Sequence, residues 1–210
     1  MEPDFLQHEG AWCTARHVWV AGPDEAGRGC LAGPVVAAAV VFPQDIVLEG
    51  VADSKSLSRR QRETLAERIQ EAAQAYAIGF CSPAEIDQLN ILWASMKAMR
   101  RAIEALSTPP SAVLVDGNRV IPQFPLPIRA IVKGDAQSHC IAAASILAKV
   151  TRDAWMTELD AAFPAYGFAR HKGYPTAEHY TAIEKWGVTP HHRRSFKLFR
   201  QSETPQITLF

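Results

Sequence analysis

Residues 18–42, VWVAGPDEAGRGCLAGPVVAAAVVF, decide the fold, because two apolar runs here flank an acidic and glycine-rich turn. The runs predict β-strands over Val18–Pro23 and Val35–Phe42. Asp24 and Glu25 follow the first strand, and two adjacent carboxylates repel each other and disfavour strand structure unless a cation compensates them. A divalent metal ion is the simplest such cation, although a solvated turn would also place both acidic residues here.

The glycine-rich part of this turn has the composition of a phosphate-binding loop. Gly27 and Gly29 let the backbone approach a ligand closely and expose its N–H groups. Arg28 between them offers a fork of donors that suits a phosphate group. The segment therefore predicts a metal site beside a phosphate site.

Two further apolar runs end in a carboxylate and a glycine. Asp116 and Gly117 follow Ala112–Val115, and Asp135 follows Ile128–Val132 through a lysine and a glycine. Ligand sites in α/β proteins lie at strand ends, so these carboxylates are expected to meet Asp24 and Glu25. Four carboxylates can hold two hard divalent cations, which is the arrangement that hydrolyses phosphodiesters by two-metal catalysis. Because strand side chains alternate between faces, Asp24 and Glu25 are expected to share this site only if the strand ends or bulges between them.

From Val18 to Phe196 the chain resembles ribonuclease HII, the type 2 ribonuclease H family. The segments that carry the resemblance occur in the family's order and spacing, and none departs at a catalytic position. They are Asp24–Gly29, Asp53–Ser58, Val115–Gly117, Lys133–Asp135, Ala142–Asp153, His171–Thr176 and Gly187–Phe196.

The resemblance implies a fold, an activity and a cofactor. The fold is an α/β ribonuclease H-like mixed sheet flanked by helices, with a small C-terminal helical appendage. The activity is endonucleolytic cleavage 5′ to ribonucleotides in RNA–DNA hybrids, and at single ribonucleotides in duplex DNA, leaving a 3′-hydroxyl. The catalytic and metal-binding set, which holds two Mn²⁺ or Mg²⁺ ions, is Asp24, Glu25, Asp116 and Asp135.

The resemblance also assigns residues to the substrate. Gly27, Arg28 and Gly29 surround the ribose 2′-hydroxyl, and Tyr174 stacks near the step from ribonucleotide to deoxyribonucleotide. Without the resemblance, the simpler interpretation of Tyr174 is an aromatic side chain packed within a loop. Five further polar residues are expected to contact phosphates, although without the resemblance they would be interpreted as ordinary surface side chains. They are Lys55, Lys133, Ser145, Lys149 and Lys172.

The pattern along the chain predicts one catalytic domain over residues 1–200, with a helical part at about 165–200 and a flexible tail at 201–210. Helices are predicted over 59–76, over 82–106 with a break near Asn90, and over 138–163, and a further strand over 77–81. Asp53 and Asp153 are left out of the metal set, because a turn before Ser54 and a pair with Arg152 account for them.

Charge and cysteine content constrain the functional class. The 22 basic residues balance 22 acidic ones, which weakly opposes nucleic-acid binding, but residues 167–200 contain seven Lys or Arg against two Glu. That local excess is expected to follow a phosphate backbone, unless it is simply a solvated face. The four cysteines lack metal or disulfide spacing, and the late histidines lack zinc-ligand spacing. With no leader-like start and apolar runs of at most eight residues, we expect a cytoplasmic protein with no membrane contact.

Two alternative functions remain open on the sequence. A ribonuclease HIII-like hybrid nuclease is one, but that resemblance implies a longer N-terminal domain and a glutamate where this chain has Asp135. A noncatalytic module that binds hybrids is the other, and the intact set of four carboxylates argues against it.

The C-terminal residues predict a partner. Residues 206–210, QITLF, resemble the glutamine-x-x-leucine-phenylalanine peptides that dock on bacterial sliding clamps. Leu209 and Phe210 are the expected pocket-filling anchors and Gln206 the polar contact. Packing of the tail onto its own domain is the alternative.

Overall fold

The structure is a computed structural model that describes residues 19–43, 46–51 and 57–199. Within these ranges five strands and six α-helices alternate along the chain. The strands are β1 (Val20–Ala26), β2 (Val35–Val41), β3 (Ala75–Cys81), β4 (Ala112–Asp116) and β5 (Ile128–Ile131). The helices are α1 (Arg59–Ala72), α2 (Pro83–Leu89), α3 (Ile91–Glu104), α4 (His139–Ala162), α5 (Phe168–His171) and α6 (Ala177–Trp186).

The described strands form one mixed sheet in the order β3-β2-β1-β4-β5. β1, β2 and β3 are an antiparallel meander, whereas β4 and β5 lie parallel to β1 and to each other. Parallel neighbours end at the same edge of a sheet. The carboxyl ends of β1, β4 and β5 therefore share one edge, where the predicted acidic residues lie.

Helices cover both faces of the sheet. Every residue of β2 is buried, and its side chains alternate between two apolar clusters. Ala37 and Ala39 pack toward α3, and Ala38 and Val40 pack toward α1 and α4. This double coverage explains why β2 is apolar throughout.

Two glycines let helices lie directly on the strands. A Cβ atom added at Gly22 in β1 would lie 2.5 Å from the backbone nitrogen of Ile141 in α4. One added at Gly79 in β3 would lie 2.2 Å from the carbonyl oxygen of Ala98 in α3. Small residues on the helices, such as Ala142, complete these close contacts.

The predicted helix starts are confirmed by their caps. Ser58 with Gln61, and Ser82 with Glu85, form reciprocal capping boxes at α1 and α2. Asn90 adopts a positive φ of 63°, which ends α2, and its side chain accepts N–H bonds at the start of α3. The long helix predicted over 138–163 is α4, with Ser138 as its N-cap.

The predicted end of α1, start of β3 and end of β1 were wrong. α1 ends at Ala72, because the chain pairs with β2 from Ala75 onward, and the strand predicted from residue 77 therefore begins earlier. β1 does not end at Pro23 but pairs with β2 as far as Ala26.

The C-terminal part packs on α4 and on the loop that follows β1. Tyr166, Phe168 and Ala182 form an apolar cluster with Ala32 and Met156. His192 also forms a β-bridge with Ala32. Within the described ranges, no helix has both the length and the apolar content needed to cross a bilayer.

Candidate active site

The acidic pair lies inside a regular strand. Asp24 is paired with Ala38 and Glu25 with Ala37 in unbroken antiparallel register. The expectation of a strand end or bulge between the two carboxylates was therefore wrong. Directly opposed residues share a face, so Asp24 faces α4 and Glu25 faces α3.

Asp24 is a buried carboxylate with few compensating groups. Its Oδ1 accepts the Glu25 backbone N–H at 2.7 Å, and the Ser145 side chain also hydrogen-bonds to it. Burial raises the pKa of Asp24 well above its usual value, and the charges of Glu25 and Asp116 raise it further. The three carboxylates are therefore close enough to repel one another, and this repulsion favours a cation.

Glu25 is paired with an exposed arginine. Arg28 Nη1 donates to Glu25 Oε1 at 3.1 Å, while the Glu25 side chain is only 7% exposed. Burial raises the pKa of Glu25, and Arg28 opposes that rise. Because the Arg28 side chain is 53% exposed, the pair contributes little stability, and the guanidinium can move to another partner at low cost.

The other two carboxylates follow β4 and β5. Asp116 Oδ1 accepts the Gly134 N–H at 2.7 Å, which fixes the turn of residues 134–136 against the end of β4. Asp135, the next residue of that turn, is partly exposed. Among the described residues, no three His, Cys, Asp or Glu side chains are arranged so as to enclose a metal ion. The four-carboxylate metal set therefore stays a prediction.

A cavity of about 490 Å³ lies beside these strand ends. It brings together most of the side chains that the sequence predicted for the substrate, with Arg62 of α1, which the sequence analysis missed. The lining includes Glu25, Gly27, Arg28, Gly29, Arg62, Ser145, Lys149 and Tyr174.

A second cavity, of about 60 Å³, lies on the α3 side. Glu25, Arg28 and Asp116 line it together with Ser95. Ser95 Oγ is buried and has no hydrogen-bond partner among the described residues. A buried hydroxyl without a partner costs free energy, so this position favours a polar occupant next to the carboxylates.

Two buried arginines hold the Gly27–Pro34 loop. Arg193 donates to the carbonyl oxygens of Gly27, Arg28, Gly33 and Pro34 at 2.7–3.1 Å. Arg152 donates to the carbonyl oxygens of Ala32, Pro34 and Lys172 at 2.9–3.0 Å. The two guanidinium groups thus fix the loop backbone from its buried side.

These arginine positions correct the sequence analysis. Arg152 does not pair with Asp153, which binds Lys149 at 2.6 Å instead. Arg152 lies four residues from both Ala148 and Met156, which are buried, so helical spacing could have indicated its burial. Arg193 was counted in the late basic excess but is fully buried.

Two further late cations among the described residues are engaged by neighbouring groups of the chain. The Lys172 ammonium donates to the Asp153 carbonyl and the Thr157 hydroxyl, and burial lowers its pKa. Arg170 pairs with Glu178. Arg170 is itself exposed, and the other exposed late cations among the described residues are Lys185, Arg194 and Lys197.

Tyr174 lies at the rim of the larger cavity. Its ring is 42% exposed, and the Lys149 ammonium lies 5.8 Å from the ring centre. Its side chain interacts with the buried Cys30 thiol, and the Leu31 N–H donates to the neighbouring Gly173 carbonyl at 2.8 Å. The tyrosine is therefore fixed beside the Gly27–Gly29 loop.

Other predicted residues are not brought into this cavity. Lys133 is exposed and has a left-handed backbone conformation, just before the turn that contains Asp135. The Lys172 ammonium is directed at Asp153 and Thr157 in α4. Lys55 and the tail residues Gln206, Leu209 and Phe210 lie outside the described residues.

Comparisons with known proteins identify relatives of this chain. The family model described as Ribonuclease HII matches residues 21–199. Ribonuclease HII of Geobacillus kaustophilus is 56% identical over 198 residues, covering 94% of this chain and 75% of the relative. The ribonuclease HII in a PCNA complex from Archaeoglobus fulgidus is 29% identical with a TM-score of 0.71, covering 89% and 98%. Bst-RNase HIII in complex with Mn²⁺ is 19% identical with a TM-score of 0.64, covering 86% and 68%, and at this identity the likeness concerns the fold alone.

Proposed function

The chain belongs to the ribonuclease HII family and is a metal-dependent endoribonuclease with a ribonuclease H-like fold, and from this premise we propose its substrate and mechanism. It hydrolyses the phosphodiester on the 5′ side of ribonucleotides, both in RNA–DNA hybrids and at single ribonucleotides in duplex DNA. The product end is a 3′-hydroxyl. This activity belongs to ribonucleotide removal in DNA replication and repair.

One observation carries the proposal. The 490 Å³ cavity joins Glu25 of the acidic sheet edge, a glycine-rich loop and the partly exposed ring of Tyr174 at a single opening. Carboxylates suit metal ions, exposed backbone N–H groups suit ribose and phosphate oxygens, and an aromatic ring suits a base or sugar face. Their convergence supports a site that reads a sugar–phosphate backbone next to the metals.

The chemistry of the donors, and not a preformed arrangement of ligands among the described residues, supports a divalent metal site at this sheet edge. The site must be reached from both faces of β1, because Asp24 and Glu25 point to opposite ones. Asp24, Glu25, Asp116 and Asp135 supply hard oxygen ligands, and the mutual repulsion that raises the pKa of Asp24 is relieved by a cation. We propose that these four residues hold two Mn²⁺ or Mg²⁺ ions, which when bound activate water and stabilise the leaving oxygen. Ser95 provides a buried hydroxyl beside Glu25 and Asp116 that can take a further polar contact.

The chain's own residues orient the scissile phosphate. Glu25 exchanges its pair with Arg28 for the metal site, and the freed guanidinium turns to the substrate phosphate. The backbone of Gly27–Gly29, whose carbonyls are tied to Arg193, presents its outer side to the ribose 2′-hydroxyl. A rigid loop discriminates ribose from deoxyribose because it leaves its polar groups unpaired when the hydroxyl is missing.

Tyr174 and Lys149 form the other wall. We propose that the Tyr174 ring stacks at the junction between the ribonucleotide and the next deoxyribonucleotide. Lys149 and Ser145 contact the backbone phosphates, with Arg62 as an additional cation on the same cavity. Lys55, Lys133 and Lys172 stay predictions for phosphate contacts, and the buried bonds of Lys172 favour a structural role instead.

The two alternative functions lose support. A ribonuclease HIII assignment is opposed by the family match and by the fold-only likeness to Bst-RNase HIII. A noncatalytic module is opposed by membership in a family of enzymes.

We also propose a partner and an organisation for the chain. Residues 1–200 form one catalytic domain, residues 201–210 a tail, and Gln206, Leu209 and Phe210 dock on a sliding clamp in the cytoplasm. The related ribonuclease HII of Archaeoglobus fulgidus in complex with PCNA supports the clamp as a partner.

The test uses a DNA duplex with one embedded ribonucleotide, incubated with Mn²⁺, with Mg²⁺ and with a chelator. We expect cleavage on the 5′ side of the ribonucleotide and a 3′-hydroxyl that a polymerase extends. An all-DNA duplex is the control. Cleavage on the 3′ side, or equal cleavage with the chelator present, would contradict the proposal.

A further inference from the structure

Three buried histidines lie behind Tyr174, apart from the catalytic carboxylates. His171, His179 and His192 are at most 8% exposed, and the rings of His171 and His179 stack at 4.4 Å. All six ring nitrogens lie within hydrogen-bond distance of a partner. The cluster therefore has defined hydrogen positions.

The partners fix the tautomer of His192. Its Nδ1 accepts the Thr189 backbone N–H at 2.9 Å, so this nitrogen carries no proton. A neutral imidazole then carries its proton on Nε2, which faces His179 Nε2 at 3.1 Å. His192 therefore donates to His179.

The same argument extends to Tyr174. Because His179 accepts at Nε2, its proton is on Nδ1, which lies 2.9 Å from the Tyr174 carbonyl oxygen and donates to it. A continuous series of hydrogen bonds thus runs from Thr189 through His192 and His179 to the backbone of Tyr174. A proton added to either ring of the pair would place two N–H groups face to face.

The pair is accordingly kept neutral. Burial lowers the pKa of both His179 and His192 to about 4. The titratable groups that face the pair are His171, Glu178 and His191. A histidine without such burial titrates near pH 6.5.

The other end of the series reaches the glycine-rich loop. His192 bridges Ala32, the Arg193 N–H donates to the Leu31 carbonyl at 2.8 Å, and the Arg193 side chain binds the Gly27 carbonyl. The two walls of the larger cavity, the loop and Tyr174, are therefore joined through the pair.

We propose that the His192–His179 hydrogen bond is a positioning device, which holds Tyr174 in register with the Gly27–Gly29 loop and thereby sets the preference for the ribonucleotide–deoxyribonucleotide junction. The inference rests on the proposed function, since Tyr174 must itself recognise that junction. His179 and His192 are positioning residues that act through Tyr174 without touching the substrate.

The experiment compares kcat/KM at a single ribonucleotide in duplex DNA with kcat/KM on a continuous RNA strand in a hybrid. His179→Phe keeps an aromatic ring but removes both nitrogens. We expect the ratio of the two values to fall about threefold to tenfold, because of the two hydrogen bonds lost only the one to the Tyr174 carbonyl holds that residue directly, and a neutral hydrogen bond is worth this much. His179→Asn retains an amide donor for the Tyr174 carbonyl and should recover part of the ratio.

Three further variants make the result decisive. His192→Gln keeps a donor toward His179 and serves as a milder change if His179→Phe does not fold. Tyr166→Phe removes the buried bond from Tyr166 to the Gly187 carbonyl in the same cluster, off the path to Tyr174, and should leave the ratio unchanged. Tyr174→Ala tests the proposed function itself.

The outcomes distinguish failure of the positioning inference from failure of the proposed role of Tyr174. A lowered ratio in Tyr174→Ala together with an unchanged ratio in the histidine variants would overturn the positioning inference alone. An unchanged ratio in Tyr174→Ala would overturn the proposed role of Tyr174 and the inference with it. Nitrogen NMR of labelled histidine provides a second readout, in which His179 protonated on Nδ1 and His192 on Nε2, both neutral at about pH 5.5, is expected. The opposite tautomers would reject the series of bonds.

Discussion

Asp24 combines burial with like-charged neighbours, and at the residue scale this combination opposes the stability of the metal-free fold. Desolvation, Glu25 and Asp116 all raise its pKa, while Arg28 pairs with Glu25 instead. A carboxylate whose folded pKa exceeds the unfolded value destabilises the fold at neutral pH. The proposed function therefore relies on a group that the metal-free fold would be more stable without.

The first prediction follows from this conflict. Asp24→Asn should lower turnover by several orders of magnitude, because positioned cations carry the catalysis. The metal-free variant should unfold at the same or a higher denaturant concentration than wild type at pH 7. Steady-state kinetics and urea unfolding measure the two effects, and Asp116→Asn should show a similar kinetic loss.

Glu63→Gln is the matched control, since Glu63 is an exposed carboxylate that pairs only with Arg59 in the same helix among its described contacts. It should keep wild-type turnover. Near-wild-type rates in both aspartate variants would reject the metal assignment.

The second prediction concerns Tyr174. Tyr174→Ala should reduce cleavage at a single ribonucleotide more than cleavage of a continuous RNA strand, because stacking worth about 1–3 kcal/mol is lost at the junction. Tyr174→Phe retains the ring and loses only the hydroxyl contact with Cys30, so it should stay near wild type on both substrates. Equal losses on both substrates in Tyr174→Ala would assign the ring to packing.

At the scale of the element, the sequence predicted features that depend on neighbouring residues, but not those that depend on contacts between distant segments. The capping serines, the break at Asn90 and the start of α4 follow from a few neighbouring residues, and the sequence predicted them. The extension of β1 through Asp24 and Glu25 depends on β2 as a partner, which overrides the low strand propensity of two carboxylates.

The candidate site shows the same division. The motif residues that line the larger cavity were predictable, because each lies in a recognisable segment. The roles of Arg152 and Arg193 were not predictable, because all but one of their hydrogen-bond partners are backbone carbonyls more than a hundred residues away. Every residue has a backbone carbonyl, so the sequence does not indicate which carbonyl accepts a hydrogen bond, whereas a carboxylate partner is visible as Asp or Glu.

The third prediction tests the contact between β1 and α4. Gly22→Ala should lower the free energy of unfolding by about 1–3 kcal/mol or more, because its Cβ would overlap the backbone of Cys140 and Ile141. Gly29→Ala is the control, since nothing lies within 4 Å of a Cβ added there. Equal stability of the two variants in urea unfolding would show that α4 does not lie against β1 as described.

At the scale of the whole molecule, the chain has balanced charge and therefore depends on local features to find its substrate and partners. The fourth prediction concerns the sliding clamp. Deleting residues 206–210 should abolish binding to a purified clamp, because the two apolar anchors and Gln206 are removed together. Cleavage of short oligonucleotides should not change. Retained clamp affinity, or no affinity in the intact protein, would reject the partner.

The last prediction concerns acid stability and His139, which joins α4 to the segment of residues 46–51. Its Nε2 accepts the Leu48 N–H at 3.0 Å, and burial lowers its pKa to about 4. The folded pKa lies below the unfolded value of about 6.5, so the contribution is fully present above pH 6.5 and is lost as the pH falls toward 4. The raised pKa values of Asp24 and Glu25 have the opposite effect on stability as the pH falls. Measurements on wild type by itself would therefore hide the loss that His139 causes.

A comparison of two proteins removes that masking. His139→Gln offers a side-chain oxygen to the Leu48 N–H but does not titrate, while both carboxylates are unchanged. The free energy of unfolding should therefore fall less steeply in His139→Gln than in wild type between pH 6.5 and 4, with a difference of at most about 2 kcal/mol at pH 5. Urea unfolding at a series of pH values measures both curves. Parallel curves would mean that His139 is protonated in the folded protein, and that the bond from Leu48 is not made as described.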